Sequence, residues 1–138
     1  MQSIDRSHRR LANLAAALAG YVDAVGFLSA DRYFVSFMSG NTTRLGIDLI
    51  SAPARALLPA GLIAGFVLGV FLGALFAARA KARRKSVILA AVTVLLTTAA
   101  LANHGGLSNA VLVLLVLSMG ALNNTFQRDG EVSVGLTY

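Results

Sequence analysis

An acidic side chain within an apolar segment is the first feature of this sequence that could do chemistry. Asp23 is the one charged residue between Leu11 and Ala30. A carboxyl group inside a membrane-crossing helix costs about 2.5–3.5 kcal/mol on insertion scales, and such groups usually serve proton relays or solute pathways. Small residues recur on the same helical face, which predicts that Asp23 points towards protein. Asp23 is therefore a candidate proton or substrate site, and a structural pairing with Arg44 is the alternative.

A short polar run follows this apolar block. Residues 39–44 read SGNTTR. Their hydroxyl and amide groups suit a polar solute, and the glycine permits a helix break of the kind found in transporters. The alternative is a turn in which Asn41 or Thr42 caps the helix ahead of Leu45. The candidate site residues in this run are Ser39, Gly40, Asn41, Thr42, Thr43 and Arg44.

Two further polar pairs are weaker candidates. Asn123 and Asn124 lie near the end of the last apolar block. They belong to the candidate site, although interhelical hydrogen bonds of about 0.6 kcal/mol each also account for them. Arg44 and Asp48 stand four residues apart, a spacing that predicts a local ion pair with a structural role.

Residues that normally build catalytic, metal or cofactor sites are scarce. The sequence has no cysteine, and its two histidines, His8 and His104, lie far apart without a partner at ligand spacing. Disulfides, thiolate metal sites and cysteine nucleophiles are thereby excluded. We predict that the chain is not an enzyme and has no catalytic residue, metal ion or cofactor.

The composition is that of a membrane protein. Hydrophobic residues make up 57% of the chain and charged residues 13%, whereas soluble domains average about 45–50% and 25%. The basic residues cluster at the ends of the apolar blocks, not on a polar face with stacking aromatics, so nucleic acid is not an expected partner. The fold class predicted is an all-α membrane protein, with the lipid bilayer as its main partner.

Four apolar blocks predict about four transmembrane helices. They span residues 11–30, 57–78, 86–102 and 109–126, within a transmembrane domain of residues 11–138 that follows a basic tail, 1–10. Residues 31–56 are too polar for a lipid-facing span, so they predict a broken or re-entrant segment. An extracytoplasmic loop with a short interfacial helix is an equal alternative.

The basic residues predict the orientation of these helices. Arg6, Arg9 and Arg10 precede the first block, and five more basic residues lie between Arg79 and Lys85. Positively charged flanks stay on the cytoplasmic side of a membrane. The N-terminus is therefore predicted to be cytoplasmic.

A series of glycines in the second block predicts close helix packing. Gly61, Gly65, Gly69 and Gly73 recur at intervals of four. This spacing clears one helix face so that a neighbouring backbone can approach. The spacing leaves open whether the neighbour is in the same chain or in a second copy, so a homo-oligomer is a candidate assembly.

Two signatures resemble a known family. AGYVDAVGFL, starting at Ala19, is followed by FVSFMSGNTTRLG from Phe34, and GALNNTFQRDGEVSVGLTY begins at Gly120. Together they resemble the YoaK family of bacterial membrane proteins. The resemblance implies an inner-membrane protein of about six helices and unestablished function, and it implies that this chain stops before the last two.

The two signatures also resemble each other. Gly20 and Asp23 match Gly120 and Asn123. The copies lie in the first and the fourth predicted spans, so they would run in opposite directions across the membrane. This pattern predicts an inverted-repeat architecture, which recurs in secondary transporters.

Three hypotheses for function follow. The first is a transporter-like protein that binds an unknown small solute between Asp23 and residues 39–43. The second is a non-catalytic membrane module that assembles through the glycine series. The third is a small four-helix antiporter of the multidrug type, because those proteins also carry a carboxylate in the first helix.

Overall fold

The computed structural model describes residues 6–106, 108–128 and 131–132. In this part the chain is helical apart from the turns between helices and a hairpin of two two-residue strands. The α-helices are α1 (Arg6–Ser29), α2 (Met38–Ser51), α3 (Leu57–Ala80), α4 (Arg84–His104) and α5 (Ser108–Leu122). Short 3-10 helices cover Pro53–Ala56, Lys81–Arg83 and Asn123–Phe126, and the antiparallel strands are β1 (Gln127–Arg128) and β2 (Glu131–Val132).

The helix boundaries have local causes. α3 follows a 3-10 turn that opens with Pro53, a residue whose fixed φ suits the first position of a helix. α3 and α4 are separated at Lys81, which has a positive φ of 45°. α4 ends at His104, and Gly105 and Gly106 follow it; Gly106 takes a φ of 72° that favours glycine. These breaks turn one long apolar stretch into separate helices that pack on each other.

α5 lies at the centre of the bundle. It runs parallel to α3, since Gly65 and Gly73 of α3 approach Val116 and Ala121 of α5 in the same order. The C-terminal half of α1 shares a groove with the C-terminal half of α4 and the N-terminal half of α5. Therefore α1 and α4 run parallel to each other and antiparallel to α5. Most of the side chains of α5 are buried, in contrast to those of α1 and α3.

The outer surface of the bundle is apolar. Large hydrophobic side chains are exposed on α1, α3 and α4, including Leu14, Leu28 and Phe71. Three stretches are long and apolar enough to cross a membrane, namely Arg9–Ser29, Pro53–His104 and Ser108–Thr125. The second contains 52 residues, about 78 Å as a straight helix and more than twice a bilayer core. This length leaves room for two membrane-crossing helices, and the stretch contains both α3 and α4.

Within the segment between the first two spans, residues Met38–Ser51 form one continuous helix, α2. α2 contains 14 residues, about 21 Å in length, which is shorter than a hydrocarbon core of about 30 Å. The helix break expected at Gly40 is therefore wrong, because Gly40 lies inside α2. Exposed Ile47, Leu49 and Ile50 give α2 an apolar face, as in a short interfacial helix.

The two predicted basic clusters lie at one end of the bundle. Because α1 and α4 are parallel, the start of α1 and the loop around Lys81 are at the same end. Arg9, Arg10, Arg79 and Arg83 are exposed there. The turn between α1 and α2 is at the opposite end.

Candidate functional site

Asp23 holds the turn that joins α1 to α2. Its carboxylate oxygen Oδ1 accepts hydrogen bonds from the backbone amides of Val35 at 2.7 Å and Ser36 at 2.8 Å. Both amides would otherwise lie unpaired in a part of the chain where Val35 is fully buried. Hydrogen bonds to a charged acceptor contribute about 1.5–3 kcal/mol each. The predicted alternative, a pairing of Asp23 with Arg44, is not observed between these described side chains.

Asn41 completes the same arrangement from α2. Its Oδ1 accepts from the backbone amide of Phe34 at 2.9 Å, and its Nδ2 donates to the carbonyl of Phe34 at 2.6 Å. The side chain is fully buried. Three successive backbone amides, at residues 34–36, are thus bound by two side chains from two helices. We call Asp23, Asn41 and residues 34–36 the turn clasp.

Two glycines of the sequence signatures make room for this clasp. A Cβ atom on Gly26 would lie 2.6 Å from Cγ1 of Val35, and one on Gly40 would lie 2.5 Å from the ring of Phe37. Phe34 in turn packs edge-on against Phe37, with ring centroids 5.2 Å apart. Gly40 therefore admits an aromatic ring, and does not break the helix.

The hydroxyl groups of the polar run bond within α2. Thr42 donates to the carbonyl of Met38, and Thr43 donates to that of Ser39, each one helical turn back. Ser39 is exposed. The alternative prediction, in which Asn41 or Thr42 caps the helix, is wrong because α2 begins at Met38, ahead of both.

A polar cavity of about 600 Å³ lies beside the clasp. Its lining comes from the α1–α2 turn, α2 and the first 3-10 helix, and Leu57 and Leu58 at the start of α3 form an apolar wall. We call it the α1–α2 cavity. Its polar side chains are Asp31, Arg32, Tyr33, Arg44, Asp48 and Arg55.

Tyr33 links the two sides of this cavity. Its hydroxyl donates to Oδ2 of Asp48 at 2.5 Å. The guanidinium of Arg44 lies 5.5 Å from the ring centroid of Tyr33 and 5.9 Å from that of Phe27, within the range of cation–π attraction. The local ion pair predicted for Arg44 and Asp48 is wrong in this described region, because each side chain takes an aromatic partner instead.

The hydrogen bond to Asp48 raises the pKa of Tyr33 above its usual value of 10.0. Burial of the phenol and the negative charge of Asp48 act in the same direction, and Arg44 and Arg55 act against them. Each of the first three causes disfavours the phenolate. Tyr33 is therefore a hydrogen-bond donor at neutral pH.

The backbone is strained where it enters the cavity. Asp31 and Arg32 have successive positive φ angles of 47° and 66°. Such residues cost about 1–3 kcal/mol each and occur often at functional sites. The turn is held by a hydrogen bond from the amide of Arg32 to the carbonyl of Phe27, and by one from Tyr33 to Ala30. The strained turn places both charged residues on the cavity lining.

The paired asparagines lie at the other end of the bundle. Asn124 is fully buried and donates from Nδ2 to the carbonyl of Val70 on α3 at 2.9 Å. The backbone carbonyl of Asn124 accepts a hydrogen bond of 3.5 Å from the guanidinium of Arg84 at the start of α4. Oδ1 of Asn123 is buried without a hydrogen-bond partner. The structure therefore does not bring Asn123 and Asn124 together with Asp23, and Asn124 serves helix packing.

The glycine series of α3 packs against another helix of the same chain. A Cβ on Gly69 would lie 2.5 Å from the carbonyl oxygen of Leu117, and one on Gly73 would lie 2.9 Å from Cα of Ala121. Gly120 of α5 approaches α3 in the same way. Gly61 has open space beside it. The neighbour left open by the sequence is thus α5 of the same chain for Gly65, Gly69 and Gly73.

Sequence reasoning missed Tyr33, and it also missed the charged cavity residues Asp31, Arg32 and Arg55. A signal for the charged residues existed, because five of the chain's charged residues fall between residues 31 and 55 in an otherwise sparsely charged sequence. Of the predicted site residues, Arg44 lines the cavity, while Asp23 and Asn41 build the clasp behind it.

Comparison with known proteins identifies relatives of the chain. A family model described as "Protein of unknown function (DUF1275)" matches residues 11–138. The UPF0700 transmembrane protein RA0705 of Rhizobium meliloti (strain 1021) is 42% identical over 135 residues, which cover 96% of this chain and 58% of the relative. The chain thus spans little more than half the length of that curated relative. No solved structure matches.

Proposed function

The chain belongs to the DUF1275 family of proteins of unknown function, and we propose that it is a multi-pass membrane protein that binds a small polar solute in the α1–α2 cavity as part of a transporter-like activity. The cavity carries this proposal. Its volume of about 600 Å³ lies within the usual range of about 300–1,000 Å³ for small-molecule sites. Charged and aromatic side chains converge on it from two helices and a strained turn.

The turn clasp supports the cavity in this proposal. Asp23 and Asn41 bind backbone amides, so neither is offered as the group that meets the solute. They fix the segment that carries Asp31, Arg32 and Tyr33. A rigid supporting shell of this kind keeps binding groups in place before the solute arrives.

A cavity-filling variant tests the proposal. Ala54 lines the cavity on an exposed 3-10 helix, and Ala82 is exposed on the 3-10 helix at the opposite end of the bundle. The protein in mild detergent is screened for solutes that raise its melting temperature, and hits are then tested for flux in proteoliposomes. We expect a solute that stabilises the natural chain and Ala82→Trp, and that has lost its effect on Ala54→Trp. An equal effect on both variants would place binding elsewhere.

The proposed topology has four crossings with the N-terminus in the cytoplasm of a bacterial cell. Co-location of the basic clusters around Arg9 and Arg83 supports this orientation, because positive flanks stay inside. The cavity then faces the other side of the inner membrane. Similarity to the YoaK family, an inverted repeat and assembly into homo-oligomers stay predictions within this proposal.

A further inference from the structure

We propose that the ligand of the α1–α2 cavity is a small organic oxyanion, bound through its carboxylate or phosphate by Arg32 and Arg55. This inference rests on the proposed function and adds the chemical class of the solute. Three arginines and two aspartates line the cavity, so the lining carries one net positive charge. Of the three arginines, Arg32 and Arg55 are exposed and available for a ligand.

The guanidinium groups of the lining arginines are not held in ion pairs by the surrounding side chains. Within residues 9–106 and 108–125, whose side chains the structure describes, Arg32, Arg44 and Arg55 form no ion pair. Asp48, the acidic residue that α2 contributes to the lining, accepts a hydrogen bond from the hydroxyl of Tyr33. Arg44 is held over two aromatic rings. Guanidinium groups bind carboxylate and phosphate through paired hydrogen bonds, which is why arginine predominates at such sites.

The geometry of the turn points to the same conclusion. Arg32 adopts a left-handed backbone conformation with a φ of 66°, which an arginine rarely takes. The turn places Arg32 on the lining of the same cavity as Arg55, which is on the first 3-10 helix, and both side chains are exposed. Leu57 and Leu58 offer an apolar wall for a short carbon chain. An organic anion matches both parts of this lining.

The oxyanion could belong to a free solute or to a lipid headgroup. The cavity is at a bundle end beside the apolar face of α2, where either source is within reach. Both present the same chemistry to Arg32 and Arg55. The two sources are separated in the experiment.

Binding of defined probes to the full chain tests the inference. The probes are succinate, glycerol 3-phosphate and inorganic phosphate, with choline and glucose as cationic and neutral comparisons, measured by calorimetry in detergent. Arg32→Gln and Arg55→Gln should each weaken binding of the anionic probes about tenfold, the effect of losing one charged hydrogen bond. Arg79→Gln, an exposed arginine at the other end, should leave binding unchanged. The same binding measurement is repeated in nanodiscs. If glycerol 3-phosphate binding is lost in nanodiscs made of phosphatidylglycerol and retained in those made of phosphatidylcholine, the lipid headgroup is the source of the oxyanion.

The remaining outcomes contradict the inference in distinguishable ways. Binding of choline or glucose without the anions would overturn the ligand class and leave the proposed function standing. Anion binding that is unaffected by both arginine variants would move the site away from this cavity. If none of the probes binds and no solute in the wider screen distinguishes Ala54→Trp from Ala82→Trp, the proposed function fails as well.

Discussion

At the scale of single residues, the carboxylate that looks most like a proton site is a structural acceptor. Asp23 binds two backbone amides, and Asn41 binds the amide and carbonyl of the residue before them. These contacts give the acidic residue inside an apolar helix a structural role, and its role as a proton or substrate site stays a prediction. They also weaken the comparison with small multidrug antiporters, which rested on the four-helix count and on this carboxylate.

The clasp predicts a difference between two substitutions of Asp23. Asp23→Ala removes the acceptor of two amides and should lower the stability of the folded chain by about 2–4 kcal/mol, because buried amides are left unpaired. Asp23→Asn retains a side-chain oxygen and should lose no more than about half of that. Thermal unfolding in detergent measures both. Equal losses would show that the charge itself, and not the acceptor geometry, is what the turn needs.

Tyr33 predicts a pH dependence at the alkaline end. Because its pKa is raised in the folded chain, the stability from its hydrogen bond is present below the unfolded value of about 10 and is lost as the pH rises through the folded pKa. The natural chain should therefore have a higher melting temperature than Tyr33→Phe at about pH 8, and this difference in melting temperature, the lead of the natural chain, should shrink above about pH 10. Tyr21→Phe, at an exposed tyrosine of α1, is the control and should show no such lead. A constant lead at all pH values would contradict the assignment.

At the scale of the helices, the glycine series joins α3 and α5 into a parallel pair. Gly69 and Gly73 admit the backbone of α5, and Gly120 admits the backbone of α3. Asn124 adds a hydrogen bond across the same contact. Close backbone approach replaces the hydrophobic driving force that lipid does not supply. The pair is the central support of the bundle.

This contact predicts opposite results for two glycines of one helix. Gly69→Ala would put a Cβ 2.5 Å from a backbone oxygen of α5, so the helices must separate, and we expect a loss of about 1–3 kcal/mol. Gly61→Ala meets open space and should leave stability unchanged or slightly raised. Thermal unfolding of the two variants in the same detergent makes the comparison. A larger effect at Gly61 would point to a neighbour outside the chain.

At the scale of the whole molecule, the bundle is polarised by charge. One end carries the exposed basic residues of the α1 start and the α3–α4 loop, and the other carries the clasp and the α1–α2 cavity. An apolar surface separates the two ends. This arrangement suits a protein fixed in one orientation across a membrane.

The orientation is testable because the chain has no native cysteine. Ser108→Cys lies at the start of α5, and Ala82→Cys lies in the α3–α4 loop, both at exposed positions at opposite ends of the bundle. In intact cells an impermeant maleimide should label Ser108→Cys and should reach Ala82→Cys only after permeabilisation. Reversed labelling would invert the proposed topology and place the cavity in the cytoplasm.

The sequence by itself determined the membrane class, the positions of the apolar helices and the absence of cysteine chemistry. These follow from composition and from runs of neighbouring residues, because lipid selects for apolar length and satisfied backbone groups within each segment. Only the tertiary structure decided what Asp23 binds, since its partners lie 12 and 13 residues away, in the turn beyond the end of α1. The same holds for Gly69, whose neighbour Leu117 belongs to a helix distant in sequence, and for the cavity, whose arginines converge only when α1, α2 and the following 3-10 turn pack together. Segment properties are additive along the chain, whereas a site depends on which segments meet.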